Sequence, residues 1–173
     1  LAAGMNKIKA EDENRTIPLS YFFWDFVLLK NIRRMLGMDN LRRGTTGAAP
    51  ISPELLTWFR AIGVKIFEGY GMSESAGLIS LNYEGNHKNG SVGSVIPGAM
   101  LRIGADNEIQ YKGGNCFKGY WRKTEKTDET FTSDGWMKTG DIGLIDDNGF
   151  LTITGRMKDI IITAGGKNVT PSE

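Results

Sequence analysis

Lys65-Ile66-Phe67-Glu68-Gly69-Tyr70-Gly71-Met72-Ser73-Glu74-Ser75-Ala76-Gly77 changes character half-way along. Val64 to Phe67 is a short apolar run that predicts a buried strand. Glycine, aromatic, hydroxyl and carboxylate residues follow, where a sheet fixes position and a loop exposes groups. Tyr70 offers a flat face to a ring, and Gly71 lets the backbone approach a ligand. Ser73 offers a hydroxyl and a backbone N–H to an anion. Glu74 offers hard oxygen to a cation such as Mg²⁺. Ring, phosphate and metal together suit a nucleotide. From this stretch alone, a tight turn with a surface Ser-Glu pair reads equally well.

Upstream, Ser52-Pro53-Glu54 opens a helix: Ser52 as N-cap, Pro53 in the first turn, Glu54 against the dipole. Leu55, Leu56, Phe59 and Ile62 make its apolar stripe, and Gly63 ends it. Helix, strand and ligand loop in succession make an α/β arrangement. Farther back, Phe22, Phe23, Phe26, Val27, Ile32, Met35 and Leu36 recur at spacings of three and four. They predict an amphipathic helix over Ser20 to Leu36, stopped by Gly37. Lys30, Arg33 and Arg34 form its basic face, either solvated or set against lipid headgroups. Residues 1–17 read as a loop or a solvated helix. Gly44-Thr45-Thr46-Gly47 has the glycines and hydroxyls of a phosphate loop but no lysine before Lys65. The small residues 47–49 suit a wall for a flat base.

From Ser91 onward the pattern is of short strands and turns. Leu101–Ile103 and Glu108–Tyr111 flank Gly104-Ala105-Asp106-Asn107, and Ile142–Ile145 and Phe150–Ile153 flank Asp146-Asp147-Asn148-Gly149. Both predict hairpins, and the spacing predicts a small β-subdomain. Thr124 to Phe131 is a short helix, and Asp159 to Thr163 a last strand before Gly165-Gly166. In Gly135-Trp136-Met137-Lys138-Thr139-Gly140-Asp141, Gly140 leaves room for a ligand. Asp141 suits the two hydroxyls of a ribose. One hairpin later comes Gly155-Arg156-Met157-Lys158-Asp159, so Asp141 and Arg156 could meet around one sugar. A structural Asp–Arg pair beside a turn is the other reading. Trp136 is expected under the Asp141 loop, and Trp24, Trp58 and Trp121 in the core or half-buried.

The chain has 173 residues, 40% hydrophobic and 24% charged, the composition of a soluble globular protein. Its net charge of +1 gives no electrostatic case for nucleic acid. A single cysteine, Cys116, excludes an internal disulfide and fits a reducing compartment. A single histidine, His87, argues against a His/Cys metal site. No apolar run approaches the ~20 residues of a membrane span. Both ends read as cut edges, so a fragment is expected.

Tyr70-Gly71-Met72-Ser73-Glu74, Lys138-Thr139-Gly140-Asp141 and Gly155-Arg156-Met157-Lys158-Asp159 resemble, in order, three core motifs of the adenylate-forming superfamily. Gly47-Ala48-Ala49-Pro50-Ile51-Ser52 is similar to a fourth. Ser91-Val92-Gly93 with Pro97-Gly98, and Phe117-Lys118-Gly119-Tyr120-Trp121, also look like the family. The forms around 47–52 and 70–75 look most like long-chain acyl-CoA synthetases, including the bubblegum type. The resemblance implies part of the large N-terminal domain and the first strand of the small C-terminal one. The expected parts are an α/β part over 1–90, a β-rich subdomain over 91–157, and hinge and C-terminal start over 158–173.

The resemblance further implies that Ala48, Ala49 and Pro50 line the adenine of ATP or AMP. Tyr70 stacks on it, and Glu68, Gly69, Gly71 and Met72 complete that wall. Ser73 contacts the reacting phosphate, and Glu74 holds Mg²⁺. Asp141 and Arg156 bind the ribose, Lys158 is the hinge, and Gly165 and Gly166 face the channel for coenzyme A. The implied substrates are a fatty acid, ATP and CoA, and the implied location is cytoplasmic or peripheral on an intracellular membrane. An amino- or aryl-acid adenylation domain and a non-catalytic nucleotide-binding module remain alternatives. The family's glycine-rich loop ending in Pro-Lys is missing from residues 1–173, as is its late catalytic lysine, so this stretch alone is expected to be inactive.

Overall fold

The computed structural model describes residues 1–159 and, for the backbone only, 161–162 and 168–169. The chain divides into two compact units, Leu1–Glu68 and Gly69–Glu173.

In the first unit, α1 (Ala2–Asp12) is a helix with Lys7, Ile8 and Ala10 buried, so the polar start is neither a loop nor fully solvated. A helical run follows: α2 (Leu19–Trp24), a π-helical stretch Asp25–Leu29, and α3 (Lys30–Met35). Gly37 stops it at φ +69°, as expected. The expected apolar stripe is not the buried one. Phe22, Phe23, Phe26 and Met35 are 55%, 61%, 77% and 88% exposed, while Tyr21 and Leu29 enter the core. The π stretch adds a residue to the turn, so three-and-four spacing read across it selects the wrong face. Arg33 also leaves the expected basic face. Its Nη1 and Nη2 donate to Asp25 at 2.5 and 3.1 Å, and Nη1 also donates to the Ile62 carbonyl at 2.7 Å.

Strand β1 (Gly44–Thr46) occupies the phosphate-loop lookalike. Helix α4 (Pro53–Ala61) begins as its sequence predicts, with Leu55 N–H donating to Ser52 Oγ at 3.1 Å. Leu56 and Ile62 are buried, whereas Leu55 is 44% exposed. Arg60 ties α4 to α1 through Glu11 and Asp12. Strand β2 (Ile66–Tyr70) starts two residues later than its apolar run, and Ile66–Glu68 pair in parallel with β1.

The second unit holds the last two residues of β2, which pair antiparallel with β3 (Ser80–Leu81); β3 in turn pairs with β4 (Ser94–Val95). Its larger sheet is antiparallel: β5 (Ala99–Ile103), β6 (Glu108–Gly113), β7 (Met137–Ile145) and β8 (Leu151–Arg156) in that order. Both expected hairpins form. Asp106 and Asn107 take positive φ in the first. In the second, Asp146 Oδ1 accepts from the Asn148 and Phe150 N–H groups. Helix α5 (Thr124–Thr130) lies between β6 and β7. Tyr70, Ile79, Ile109, Tyr111, Met137 and Leu151 form the core. Trp121 is 85% exposed, which corrects its expected burial. Asp159 ends a 3₁₀ turn, Met157–Asp159, rather than opening a strand. Beyond it are the short pair β9 (Ile161–Ile162) and β10 (Asn168–Val169).

Candidate functional site

The end of β2 and the β7–β8 hairpin bring three expected residues together in the second unit. Asp141 and Arg156 face each other directly across β7 and β8. Arg156 Nε donates to Asp141 Oδ1 at 2.9 Å, and the Tyr70 hydroxyl donates to Oδ2 at 2.5 Å. Tyr70 and Asp141 are 9% and 5% exposed. Burial first, then the bond to Asp141, pushes the Tyr70 phenol well up, so it stays a donor. The Arg156 side chain is 71% exposed, so most of its guanidinium faces solvent. The result is a buried carboxylate, gripped on both oxygens, beside an open cation.

Glu108, only 9% exposed, supports this carboxylate from β6 by accepting the Gly140 N–H at 3.1 Å. Thr139 Oγ1 donates to the Ile109 carbonyl and accepts the Asp141 N–H. Gly140 sits at φ +74° in open space, so backbone conformation is what calls for glycine there. Trp136 carries Arg102 4.4 Å from its ring, and Arg102 grips Asp134 through both terminal nitrogens.

After β2 the chain enters a 3₁₀ turn, Ser73–Ser75. Ser75 ties it off: Oγ accepts the Met72 N–H and donates to the Met72 carbonyl. Ser73 is exposed, Glu74 half-buried, and Met72 packs on the core. Gly71 does a different job from the one its sequence suggested. A Cβ there would lie 1.6 Å from the Gly77 carbonyl oxygen, so the close approach is to the chain itself. Gly69 pairs with Leu81 within the sheet.

Glu74 is held from the loop that carries Phe117-Lys118-Gly119-Tyr120-Trp121, a family-like stretch to which the sequence assigns no partner. Tyr120 O–H donates to Glu74 Oε1 at 2.6 Å, and Phe117 N–H to the Glu74 carbonyl at 2.7 Å. Asn115 Nδ2 donates to the carbonyls of Ser75 and Leu78. Nothing local pairs that stretch with Glu74, because Glu74 and Tyr120 are 46 residues apart. Among the described residues no group of three or more His, Cys, Asp or Glu is arranged to hold a metal. A lone carboxylate such as Glu74 does fit Mg²⁺ when phosphate and water supply the other ligands.

In the first unit, Ala48, Ala49 and Pro50 are exposed, and Ala48 has φ +68°. Glu68 Oε2 is buried with no hydrogen-bond partner, and burial raises its carboxyl above the ordinary range. Lys158 is exposed in the turn after β8. Gly165 and Gly166 lie outside the described residues.

A family profile described as AMP-binding enzyme matches residues 6–121. The chain belongs to the AMP-binding enzyme family. Among its relatives in that family is the long-chain-fatty-acid–CoA ligase FadD15 of Mycobacterium bovis. The two are 47% identical over 149 residues, 86% of this chain and 24% of the relative. The long-chain-fatty-acid–CoA ligase ACSBG1 of Rattus norvegicus is 40% identical over 159 residues, 89% of this chain and 22% of that one. The chain thus spans about a quarter of the length of these curated relatives. ATP-bound MatB from Rhodopseudomonas palustris superimposes with a TM-score of 0.69 at 39% identity, over 75% of this chain and 28% of MatB. The o-succinylbenzoate–CoA synthetase MenE of Bacillus subtilis, solved with ATP and magnesium, gives 0.67 at 28% identity, over 83% of this chain and 33% of MenE. The mixed α/β fold is that of the N-terminal domain of such enzymes. No helix among the described residues is long and apolar enough to cross a membrane.

Proposed function

We propose that this chain is the nucleotide-holding part of an AMP-forming acid–thiol ligase that acts on long-chain fatty acids. The observation that carries the reading is Asp141, buried and gripped by Tyr70 and Arg156. A carboxylate so placed accepts from vicinal ribose hydroxyls. The identities of 39–47% to fatty-acid–CoA ligases favour a fatty acid over an aryl acid. The structures named for anthranilate and o-succinylbenzoate ligases stand at 26–30%.

In the proposed reaction a fatty-acid carboxylate oxygen attacks the α-phosphorus of ATP, and the bond to pyrophosphate breaks. The CoA thiol then attacks the acyl carbon, and AMP leaves. Ser73 is assigned to the reacting phosphate, Tyr70 and Glu68–Met72 to the adenine wall, and Ala48–Pro50 to adenine contact. Glu68's unpartnered oxygen is an acceptor suited to an amino group. Glu74 would hold Mg²⁺, which when bound offsets charge on the phosphates. Lys158 is the proposed hinge between the part ending near 157 and a small domain beginning at 158, with Gly165 and Gly166 on the CoA side. The further division of the large part near residue 90 belongs to the same proposal.

Peripheral contact with an intracellular membrane is part of the proposal. Exposed Phe22, Phe23 and Phe26, with Lys30 and Arg34, support it.

The test is calorimetry with AMP and ATP–pyrophosphate exchange across fatty, aryl and amino acids on the full-length protein. Fatty-acid-dependent exchange, lost in Asp141→Ala with AMP binding, is expected. Exchange driven by an aryl or amino acid would replace the substrate class. Binding without exchange would leave a nucleotide-binding module. Residues 1–173 alone should release no pyrophosphate.

A further inference from the structure

Glu74 is fixed more firmly than a turn residue needs to be. Its own turn already closes through Ser75 and Met72. The loop after β6 then adds a second set of anchors. Phe117 N–H meets the Glu74 carbonyl, and Asn115 spans the carbonyls of Ser75 and Leu78. Asn115 is in turn held by the Tyr111 hydroxyl through its Oδ1. These bonds settle the backbone. Among the described residues, the Tyr120 phenol is the hydrogen-bond partner of the side chain, at 2.6 Å from Oε1.

Tyr120 is itself braced. Its ring meets Phe117 edge-on at 4.9 Å, with Lys126 Nζ 4.7 Å from its centroid. Its N–H donates to Thr127 Oγ1 at 2.9 Å. A phenol held this way has little freedom to swing off the carboxylate.

We infer that Tyr120 is a positioning residue: it occupies Glu74 Oε1, fixes the carboxylate plane, and leaves Oε2 to a nucleotide-bound divalent cation. The inference rests on the assignment of Glu74 to the cation. The physical case is that of outer-shell partners in general. A free carboxylate rotates about its last bond and reaches a cation with either oxygen or both. A donor on one oxygen removes that freedom before the ligand arrives, and such partners are worth about 10–100-fold in metal affinity. A charge-assisted O–H···O⁻ bond is strong enough for the task.

The test uses the full-length protein, with Tyr120→Phe and Glu74→Gln beside wild type. Calorimetry measures ATP binding as free Mg²⁺ is varied, and AMP binding in its absence. Phe keeps the ring and its contact with Phe117 and removes one oxygen. Tyr120→Phe is expected to raise the Mg²⁺ needed for half-maximal tightening of ATP by about tenfold, with metal-free AMP affinity unchanged. Glu74→Gln is expected to abolish most of the Mg²⁺ dependence. If Tyr120→Phe matches wild type while Glu74→Gln loses the dependence, the positioning role is wrong and the cation assignment stands. If both keep wild-type dependence, the cation assignment itself fails. If Tyr120→Phe weakens metal-free AMP equally, Tyr120 merely supports the fold. Should Tyr120→Phe not fold, Tyr120→His replaces it, keeping an aromatic ring but moving the donor away from Glu74 Oε1. A Mg²⁺ requirement raised from wild type toward Glu74→Gln, with metal-free AMP affinity unchanged, supports the inference, and a requirement equal to wild type overturns it.

Discussion

Tyr70 donates its phenolic hydrogen to Asp141 across 71 residues of sequence, and both side chains are buried. Removing that donor leaves a buried carboxylate one partner short. Tyr70→Phe is expected to destabilise the protein by about 1.5–3 kcal/mol, the range for a hydrogen bond to a charged group. Urea unfolding checks this. A loss under about 0.5 kcal/mol would show that water replaces the phenol at no cost.

Arg156 should behave in the opposite way. Its side chain is 71% exposed, so its ion pair with Asp141 contributes at most about 1 kcal/mol. Arg156→Lys loses the planar fork and the Nε donor that Asp141 uses. The expected result is a small change in unfolding midpoint with a roughly tenfold or greater loss of AMP affinity. Equal losses in both measurements would make Arg156 structural.

Two glycines of the site separate room from conformation. At Gly71 a Cβ would lie 1.6 Å from a carbonyl oxygen, so Gly71→Ala forces backbone apart. It is expected to cost about 3 kcal/mol or more, or to prevent folding. At Gly140 an added methyl would meet nothing within 4 Å, and only φ +74° is unfavourable. Gly140→Ala is expected to cost about 1–2 kcal/mol. Thermal melts of the pair give the comparison.

Glu68 provides a pH signature. Burial raises its carboxyl in the folded chain. The folded state therefore keeps a proton that the unfolded chain, titrating near about 4.3, has released. Its contribution to stability falls as pH rises from there through the raised folded value, then levels off. Glu68→Gln should match wild type at low pH and exceed it in stability at neutral pH. A difference between the two proteins that does not change with pH would contradict this.

The hairpin turns, the N-cap of α4 and the Asp141–Arg156 pair were all legible along the chain. Each is set by residues a few positions apart, or by a hairpin that returns the chain to a known register. The buried face of the helical run over 19–35 was not, because a π turn shifts the helical period without any residue type that announces it. Gly71 shows the same limit. The residue type signals a close approach, but only the folded chain shows that the neighbour is Gly77.

Local geometry and motif order were therefore enough to determine the α/β class, the family and the meeting of Asp141 with Arg156. Tertiary structure alone decided which hydroxyl grips Asp141, which loop steadies Glu74, and which faces of the first unit stay open. Hydrogen bonds between residues 46 and 71 positions apart depend on how separate strands and loops pack, and packing leaves no periodic trace in the chain.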